Sequence, residues 1–245
     1  FGDPGSMGDG ISGNDSVSTS RIDTIVNLNI SSKSILDLTG IEAFSSLEIL
    51  NCSYNSLNTI DVSQNTLLKD LNCQGSLLFN GIDLTNNSNL ENLNVQRCQL
   101  DSLNLSQNIN LINLNCFDND LSTLDLSQNI NLFDLSCAYN NLSSLDLSQN
   151  IILSRFQAYN NQLSVLNISN NSALTTLSCS NNNLTHLDVS HCTVLTNLSC
   201  SNNNLTSLDV RNGNNQNMQG YGFNARNNPD LYCISVDDYI WSTIN

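Results

Sequence analysis

Leu111–Asn131 reads LINLNCFDNDLSTLDLSQNIN, and residues 132–152 follow directly with LFDLSCAYNNLSSLDLSQNII. Both segments fit L-x-x-L-x-C-x-x-N-x-L-x-x-L-D-L-S-x-N-x-x, and the pattern recurs in eight coils that start at Leu47, Leu68, Leu90, Leu111, Leu132, Leu153, Leu174 and Leu195. Only the second coil has an extra residue. A period of this length indicates a solenoid, in which each coil stacks on the previous one. We number the positions of the 21-residue coil as columns 1 to 21.

Each coil consists of two similar halves, of ten and eleven residues. A half of this length has no room for a helix, so we predict one short strand per half, L-x-C and then L-D-L. Alternate residues of a strand point to opposite sides, which places the leucines inside. The sequence therefore predicts a right-handed, weakly curved parallel β solenoid. It has two short-strand sheets stacked around a thin leucine core and almost no helix.

The repeat and the sequence on either side of it divide the chain into four predicted parts. Residues 1–20 are rich in Gly, Ser, Asp and Asn, so we expect a disordered segment that begins with a cloning scar. We place the apolar residues of 21–46 out of register with the repeat and predict an N-terminal cap, with a short helical turn within 37–44. Eight repeats occupy 47–217. A degenerate last coil and a C-terminal cap, with Trp241 packing over it, occupy 218–245.

The charge of the chain excludes two classes of partner. The net charge is −15, with only seven Lys and Arg residues. Nucleic-acid binding needs clustered cations, so we expect no nucleic-acid partner, and an anionic membrane surface is disfavoured for the same reason. No apolar run approaches the roughly 20 residues that a membrane-spanning helix needs, so we expect no membrane insertion.

Asparagine recurs in the turns of the coils. It occupies column 9 at Asn55, Asn119, Asn140, Asn161, Asn182 and Asn203, and column 19 at Asn65, Asn87, Asn108, Asn129, Asn150 and Asn171. An asparagine amide offers both donors and an acceptor. We predict that these stacked amides satisfy backbone groups of the turns between coils, and that an Asn→Leu change would leave backbone donors without a partner.

These columns resemble those of the leucine-rich-repeat family, in the bacterial 21-residue variety with nested half-repeats. The resemblance covers about residues 22–238, and the closing segment 228–238 resembles the terminal element of such arrays. It implies a fold catalogued with the α/β leucine-rich-repeat horseshoes. It also implies a non-enzymatic recognition or adhesion module, secreted or on a bacterial cell surface, with no cofactor and no catalytic residues. Members often carry further domains, so this chain is compatible with being a fragment of a longer protein.

The cysteines follow the repeat. Cys52, Cys73, Cys116, Cys137, Cys179 and Cys200 occupy the inward column 6, where Val95 and Ala158 stand in the other two coils. A position that accepts Val and Ala favours a small apolar group, and a buried thiol is one. We therefore predict free structural thiols; a disulfide or a metal site is the less favoured alternative.

An outward acidic column allows two interpretations. Column 15 holds Asp61, Asp83, Asp125, Asp146, Asp188 and Asp209, with Asn104 and Asn167 in the remaining coils. Neighbouring carboxylates about 4.8 Å apart repel one another. The favoured interpretation is that the charges keep the sheet soluble and block edge pairing. The alternative is calcium bridging, although calcium needs six to eight oxygens and one carboxylate per coil supplies too few.

Catalysis finds little support in the sequence. His186 and Asp188 share one outer strand face, which could imitate part of a catalytic triad. However, Ser190 belongs to the repeated serine column of the turns. We therefore predict that the chain is not an enzyme.

Departures from the repeat mark the best candidate site. Most variable outward positions are small and polar, but columns 2, 3, 7 and 8 of the fourth to sixth coils carry Ile112, Phe117, Phe133, Tyr139, Arg155 and Tyr159. We expect these residues to cluster on one face and edge of the first-half sheet, with Arg97 extending the patch. Aromatic and Arg side chains are favoured at interfaces. The sequence thus predicts a module that binds a protein or glycan; local packing of these residues, in a structural spacer, is the alternative.

Overall fold

The computed structural model describes residues 22–78, 81–218 and 222–238. The predictions for residues 1–20 and for Trp241 lie outside these ranges. Two 3₁₀ segments occupy Ile41–Ala43 and Asn215–Asn217. The strands are β1 (Asn27–Asn29), β2 (Ile49–Asn51), β3 (Asp70–Asn72), β4 (Asn92–Asn94), β5 (Asn113–Asn115), β6 (Asp134–Ser136), β7 (Arg155–Gln157), β8 (Thr176–Ser178), β9 (His186–Asp188), β10 (Asn197–Ser199), β11 (Ser207–Asp209), β12 (Phe223–Asn224) and β13 (Cys233–Ser235). The predicted parallel β solenoid with almost no helix is confirmed.

The first halves of the coils form one continuous parallel sheet of ten strands, in the order β1 to β8, then β10 and β12. The repeat sets the register, because the column 4 leucines face one another across the strands, as Leu93, Leu114 and Leu135 do. The ladder continues beyond each strand, where the Cys116 amide donates to the carbonyl of Ser136 at 2.8 Å. We call this ten-stranded sheet the first sheet.

The second sheet is much shorter than the sequence predicts. Within the described residues, strands form in the second half only at β9, β11 and β13, which pair in parallel. The second halves of the earlier coils have no strand ladder. A stack that bends must keep the ladder spacing of about 4.8 Å on one side and open it on the other. A ladder continuous on one side only is therefore the arrangement of a curved array.

The core is one continuous stack of leucines, contributed by five columns of each coil. In the fourth coil Leu111, Leu114, Leu121, Leu124 and Leu126 are between 0% and 7% exposed. The same columns are buried in the other coils, except at Ile82 of the second coil, which is half-buried, and the cluster runs from Ile41 to Met218. Burying one such side chain contributes about 1.5–3 kcal/mol, which explains how short strands with little regular structure hold together.

The two asparagine columns have different roles. The Asn119 Oδ1 accepts the amides of Cys98 and Leu100 at 3.1 and 3.0 Å, while its Nδ2 donates to the carbonyls of Val95 and Cys116. Column 9 therefore satisfies backbone donors, as predicted. Column 19 does not: Asn129 Nδ2 donates to two carbonyls of the previous coil, and its buried Oδ1 has no partner. Both columns thus satisfy backbone groups of the turns as predicted, but the expectation that an Asn→Leu change strands backbone donors is wrong for column 19, because its amides serve carbonyl groups.

The N-terminal segment follows the repeat more closely than its sequence suggests. In β1, Leu28 pairs with Leu50 of β2 in the register of the other coils. The prediction that this segment is out of register is therefore wrong: it is a degenerate coil that continues the first sheet. The predicted short helical turn is present as the 3₁₀ segment Ile41–Ala43, whose carbonyl at Ile41 accepts the Asn65 amide. That this segment and residues 218–245 serve as caps remains a prediction.

All nine cysteines are free, and every one except Cys233 is buried. Burial raises the pKa of the Cys52 and Cys116 thiols to about 12, which keeps them neutral. Cys98 and Cys192 stand where other coils have asparagine, and their thiols donate to backbone carbonyls as the asparagine amide does. The Cys98 sulfur lies 3.2 Å from the carbonyl oxygen of Cys73, and the Cys192 sulfur lies 3.7 Å from that of Asn171. The predicted structural thiols are confirmed for the buried positions.

Candidate interaction surface

The outer face of the first sheet is polar. Columns 3 and 5 flank the buried column 4 and point outward, as the alternating burial of β4 to β6 requires. In column 3 the Asn113 Nδ2 donates to Asn92 Oδ1 at 2.6 Å. In column 5 the Asn115 Oδ1 accepts the backbone amide of Phe117 at 3.1 Å, closing the turn after the strand. The face is thus a rigid row of amides with spare donors and acceptors.

A groove of about 600 Å³ lies over this face and spans five strands, from Asp70 of β3 to Gln157 of β7. Its cation is Arg155, which forms an ion pair with Asp134 of the neighbouring strand at 2.6 Å. The Arg155 side chain is 54% exposed and Asp134 is 28% exposed. An exposed pair of this kind contributes only about 0–1 kcal/mol to stability, so Arg155 has little structural role.

An aromatic cluster lies at the edge of the first sheet where the strands end. The ring centre of Tyr139 is 5.1 Å from that of Phe117 and 5.5 Å from that of Tyr159. The guanidinium of Arg97 lies 5.9 Å from the Phe117 ring centre and also binds Asp118. The structure thus joins three of the predicted residues, and it places Arg97 beside them as expected. We call Phe117, Tyr139 and Tyr159 the aromatic cluster.

The backbone of column 8, which holds Tyr139 of this cluster, has a strained conformation. Column 8 is left-handed in every coil, with φ of +54° at Tyr54 and Tyr139 and +55° at Arg97. The later coils place Asn160, Asn181 and Asn202 there, as expected, because asparagine tolerates this conformation. A bulky residue in it costs about 1–2 kcal/mol, and such strain concentrates at functional sites. Stability alone would therefore not select Tyr54, Tyr139 or Arg97 at this column.

A second apolar cluster lies at the opposite edge of the first sheet, and four of its six residues were not predicted from the sequence. It consists of Ile109, Ile112, Ile130, Phe133, Ile151 and Ile152, all at least 38% exposed, and we call it the isoleucine ridge. Three of these four, Ile109, Ile130 and Ile151, occupy column 20, where other coils carry Thr66, Ser88, Ser172 and Thr193, and the fourth, Ile152, occupies column 21. That contrast was the available signal. Ile112, Phe133 and Ile152 line a recess of about 390 Å³ beside Glu91.

The predicted patch is therefore divided. Ile112 and Phe133 belong to the isoleucine ridge, whereas Phe117, Tyr139 and Tyr159 form the aromatic cluster. Columns 2 and 7 are five residues apart, so about 16 Å of strand separates the two edges. Arg155 lies on the polar face between them. The expectation of one continuous patch is wrong, because the strand itself intervenes.

The acidic column on the other side of the coils has a local structural role. Oδ1 of Asp61, Asp125 and Asp146 accepts the backbone amide two residues later at 2.8–2.9 Å. Asp83, Asp188 and Asp209 do the same. An asparagine makes the equivalent bond at Asn104 and Asn167, which explains why the column accepts either residue. These bonds lower the pKa of Asp125 and Asp146.

The histidine region has no catalytic geometry. His186 Nδ1 lies 3.0 Å from the hydroxyl of Thr185, and Ser190 Oγ lies 3.2 Å from His191 Nδ1. Asp188 accepts the Ser190 amide rather than orienting a histidine. In the part of the chain that the structure describes, no three His, Cys, Asp or Glu side chains gather as metal ligands. None of the described helical segments is long and apolar enough to cross a membrane.

Comparison with known proteins identifies bacterial relatives. Internalin J of Listeria monocytogenes serotype 4b is 42% identical over 52 residues, which cover 21% of this chain and 6% of the relative. The solved functional domain of InlJ matches with a TM-score of 0.65 at 27% identity, over 90% of this chain and 55% of that one. A leucine-rich-repeat protein of Leptospira interrogans matches at 0.73 and 24%, over 78% and 52%. No family model matches the chain.

The chain is a leucine-rich-repeat solenoid of the 21-residue type, similar to bacterial internalins. It spans about half the length of these two solved proteins, 55% and 52%. The InlJ domain includes a cysteine ladder, and column 6 of this chain carries a cysteine in six of its eight coils, in three adjacent pairs. Proteins of this class are generally non-enzymatic interaction modules, and the internalin-like relatives are bacterial surface or secreted proteins.

Proposed function

We propose that this chain is a non-enzymatic recognition or adhesion module that binds a protein or glycan through the first sheet. One observation carries the proposal. Most of the large departures from the repeat occur in the third to sixth coils, with Tyr54 of the first coil as an exception, and they lie at the two edges of the first sheet, on either side of its polar groove. A polar floor between two apolar edges fits a ligand that spans the sheet. The proposed location is outside the cell or on a bacterial surface.

The strain in column 8 supports binding over mere packing. Tyr139 keeps a left-handed backbone and is still 47% exposed, although its ring contacts Phe117 and Tyr159. A large rigid ring presented to solvent is, by contrast, well suited to an interface. The surrounding coils are preformed, so little ordering would accompany association.

The second candidate is a structural spacer within a longer surface protein, with or without calcium bridging the acidic column. Each of these aspartates already directs one oxygen into its own turn. Calcium would need six to eight oxygens, so the local hydrogen bonds favour the spacer without calcium. A spacer would explain the regular coils, but it gives no reason for the exposed isoleucine ridge.

The test is a binding screen of the purified chain against extracellular proteins and cell-surface glycans. The Phe133→Ala/Arg155→Ala variant should lose any specific ligand at an unchanged Tm. The matched control is Val165→Ala, an apolar side chain on the other half of its coil that is 70% exposed. A ligand retained by the first variant would contradict binding at the first sheet. No ligand in either class would favour the spacer.

A further inference from the structure

Column 2 changes its chemistry along the edge of the first sheet. Glu48 and Lys69 form an ion pair at 2.8 Å, and the column continues with Glu91, Ile112 and Phe133. The backbone ladder places these residues side by side, because the Ile112 amide donates to Glu91 and the Phe133 amide donates to Ile112, each at 2.8 Å. The edge therefore passes from charged to apolar in adjacent coils.

The charged part of this edge has carboxylates that the described residues leave unpaired. Asp70 is half-buried at the end of the groove and has no ion pair, and burial raises its pKa. Glu91 is also half-buried and forms no ion pair of its own: Lys69 bonds to Glu48, and its charge acts on Glu91 only at longer range. The other cations of the second to sixth coils, Arg97 and Arg155, are already paired with aspartates. The charges at this edge that have no ion-pair partner, those of Asp70 and Glu91, are therefore negative.

The apolar part forms a recess of about 390 Å³ between Ile112, Phe133 and Ile152, with Glu91 at its margin. Phe133 is 43% exposed and Ile152 is 45% exposed, so both have surface left to bury. The following two coils carry Ser154 and Thr175 in column 2. The hydroxyls of these two residues form a hydrogen bond of 3.0 Å with each other. The recess is thus bounded by an acidic residue at one end and by satisfied hydroxyls at the other.

We propose that this edge docks a polypeptide segment of a partner protein, with basic residues over Asp70 and Glu91 and an apolar residue in the recess. The inference rests on the proposed function and selects a protein from its two ligand classes. Charge complementarity sets the direction: the basic end lies toward the second and third coils and the apolar end toward the fourth and fifth. Three coil spacings of about 4.8 Å amount to about 14 Å, the length of roughly four extended residues.

A displayed library of random twelve-residue peptides tests the proposal. It is panned on the full chain with counter-selection on a Glu91→Gln/Phe133→Ser variant, in which serine copies Ser154 of the next coil. We expect enriched peptides that carry Lys or Arg about four residues from a Leu, Ile or Phe, always in one order. Enrichment of acidic or purely polar peptides, or no enrichment, would overturn the proposal.

One enriched peptide, synthesised with a fluorescent label, is then titrated by anisotropy. Asp70→Asn and Glu91→Gln should each weaken binding at least fivefold, with a smaller loss at high salt, and Phe133→Ser at least tenfold. The matched control Asp146→Asn removes one charge from the acidic column and should leave the affinity unchanged. Equal weakening by Asp146→Asn would show that only net charge matters. If proteins or glycans bind the groove in the earlier screen while no peptide binds this edge, the docking inference fails and the proposed function stands.

Discussion

Replacing the asparagines of one coil should separate the two amide columns by their effect on stability. Asn119 and Asn129 both belong to the fourth coil, so they share neighbours and core. In Asn119→Leu, three backbone groups lose the single hydrogen-bond partner described for them: the amides of Cys98 and Leu100 and the carbonyl of Val95. Each such loss costs about 1–3 kcal/mol, so the free energy of unfolding should fall by about 3 kcal/mol or more.

Asn129→Leu should cost far less. The two carbonyls that Asn129 serves, those of Leu105 and Asn108, also accept backbone amides at 3.0 and 3.2 Å and therefore keep a partner. The substitution also removes the buried, unpaired Oδ1. We expect a loss of at most about 1 kcal/mol.

Urea unfolding followed by circular dichroism measures the difference. Both variants should keep the m value of the parent chain. Solenoids can unfold in segments, so an altered m value would signal that a different transition is being measured. The midpoints should then differ by the equivalent of about 2 kcal/mol. Equal losses, or a larger loss for Asn129→Leu, would refute the hydrogen-bond accounting that distinguishes the columns.

Three further predictions concern the surface and the thiols. Tyr139→Asn should change stability by less than about 1 kcal/mol, because relief of the left-handed strain offsets the lost ring contacts, yet it should weaken ligand binding. The pKa of Asp125 is lowered in the folded state, so its stabilisation is present above the ordinary carboxyl pKa of 3.8 and is lost as the pH falls. The Tm of Asp125→Asn should therefore depend less on pH below about 4 than that of the parent. A thiol reagent at about pH 8 should modify Cys233 rapidly and the buried cysteines only after unfolding.

For each of these three predictions, one experimental result would contradict it. A large loss of Tm in Tyr139→Asn would make the aromatic cluster a packing element, with Phe133→Ala as the control at the opposite edge. Identical pH profiles of parent and Asp125→Asn would mean that ionisation of Asp125 adds nothing to stability. Rapid modification of several thiols in the native chain would contradict the sealed core.

The repeat predicted the inner architecture well. Leucine columns, buried cysteines and paired first halves follow from spacing, because a residue that recurs every 21 positions meets its own copy in the next coil. The same logic predicted Asn119 correctly. It failed for Asn129, since the sequence contains the amide in both columns but not the direction in which the amide points. It also failed for Leu28, because one extra residue before Leu47 hides the register that the strand ladder restores.

The candidate site was predicted less completely. Aromatic departures at Phe117 and Tyr139 stood out against polar neighbours, but Ile109 and Ile130 did not, because isoleucine beside a leucine core looks like core. Its exposure depends on the turn in which it lies. The strain at Tyr139 was equally invisible, since one-dimensional spacing carries no backbone angle.

The sequence by itself determined the solenoid, its period, its core and the coils in which the repeat is broken. Translational repetition determines which residues stack, so these features need no knowledge of side-chain direction. Only the tertiary structure decided that the broken positions divide into an aromatic cluster and an isoleucine ridge on opposite edges of a groove. The reason is that position around a coil depends on the turns, and local hydrogen bonds such as those of Asp125 and Asn119 set each turn.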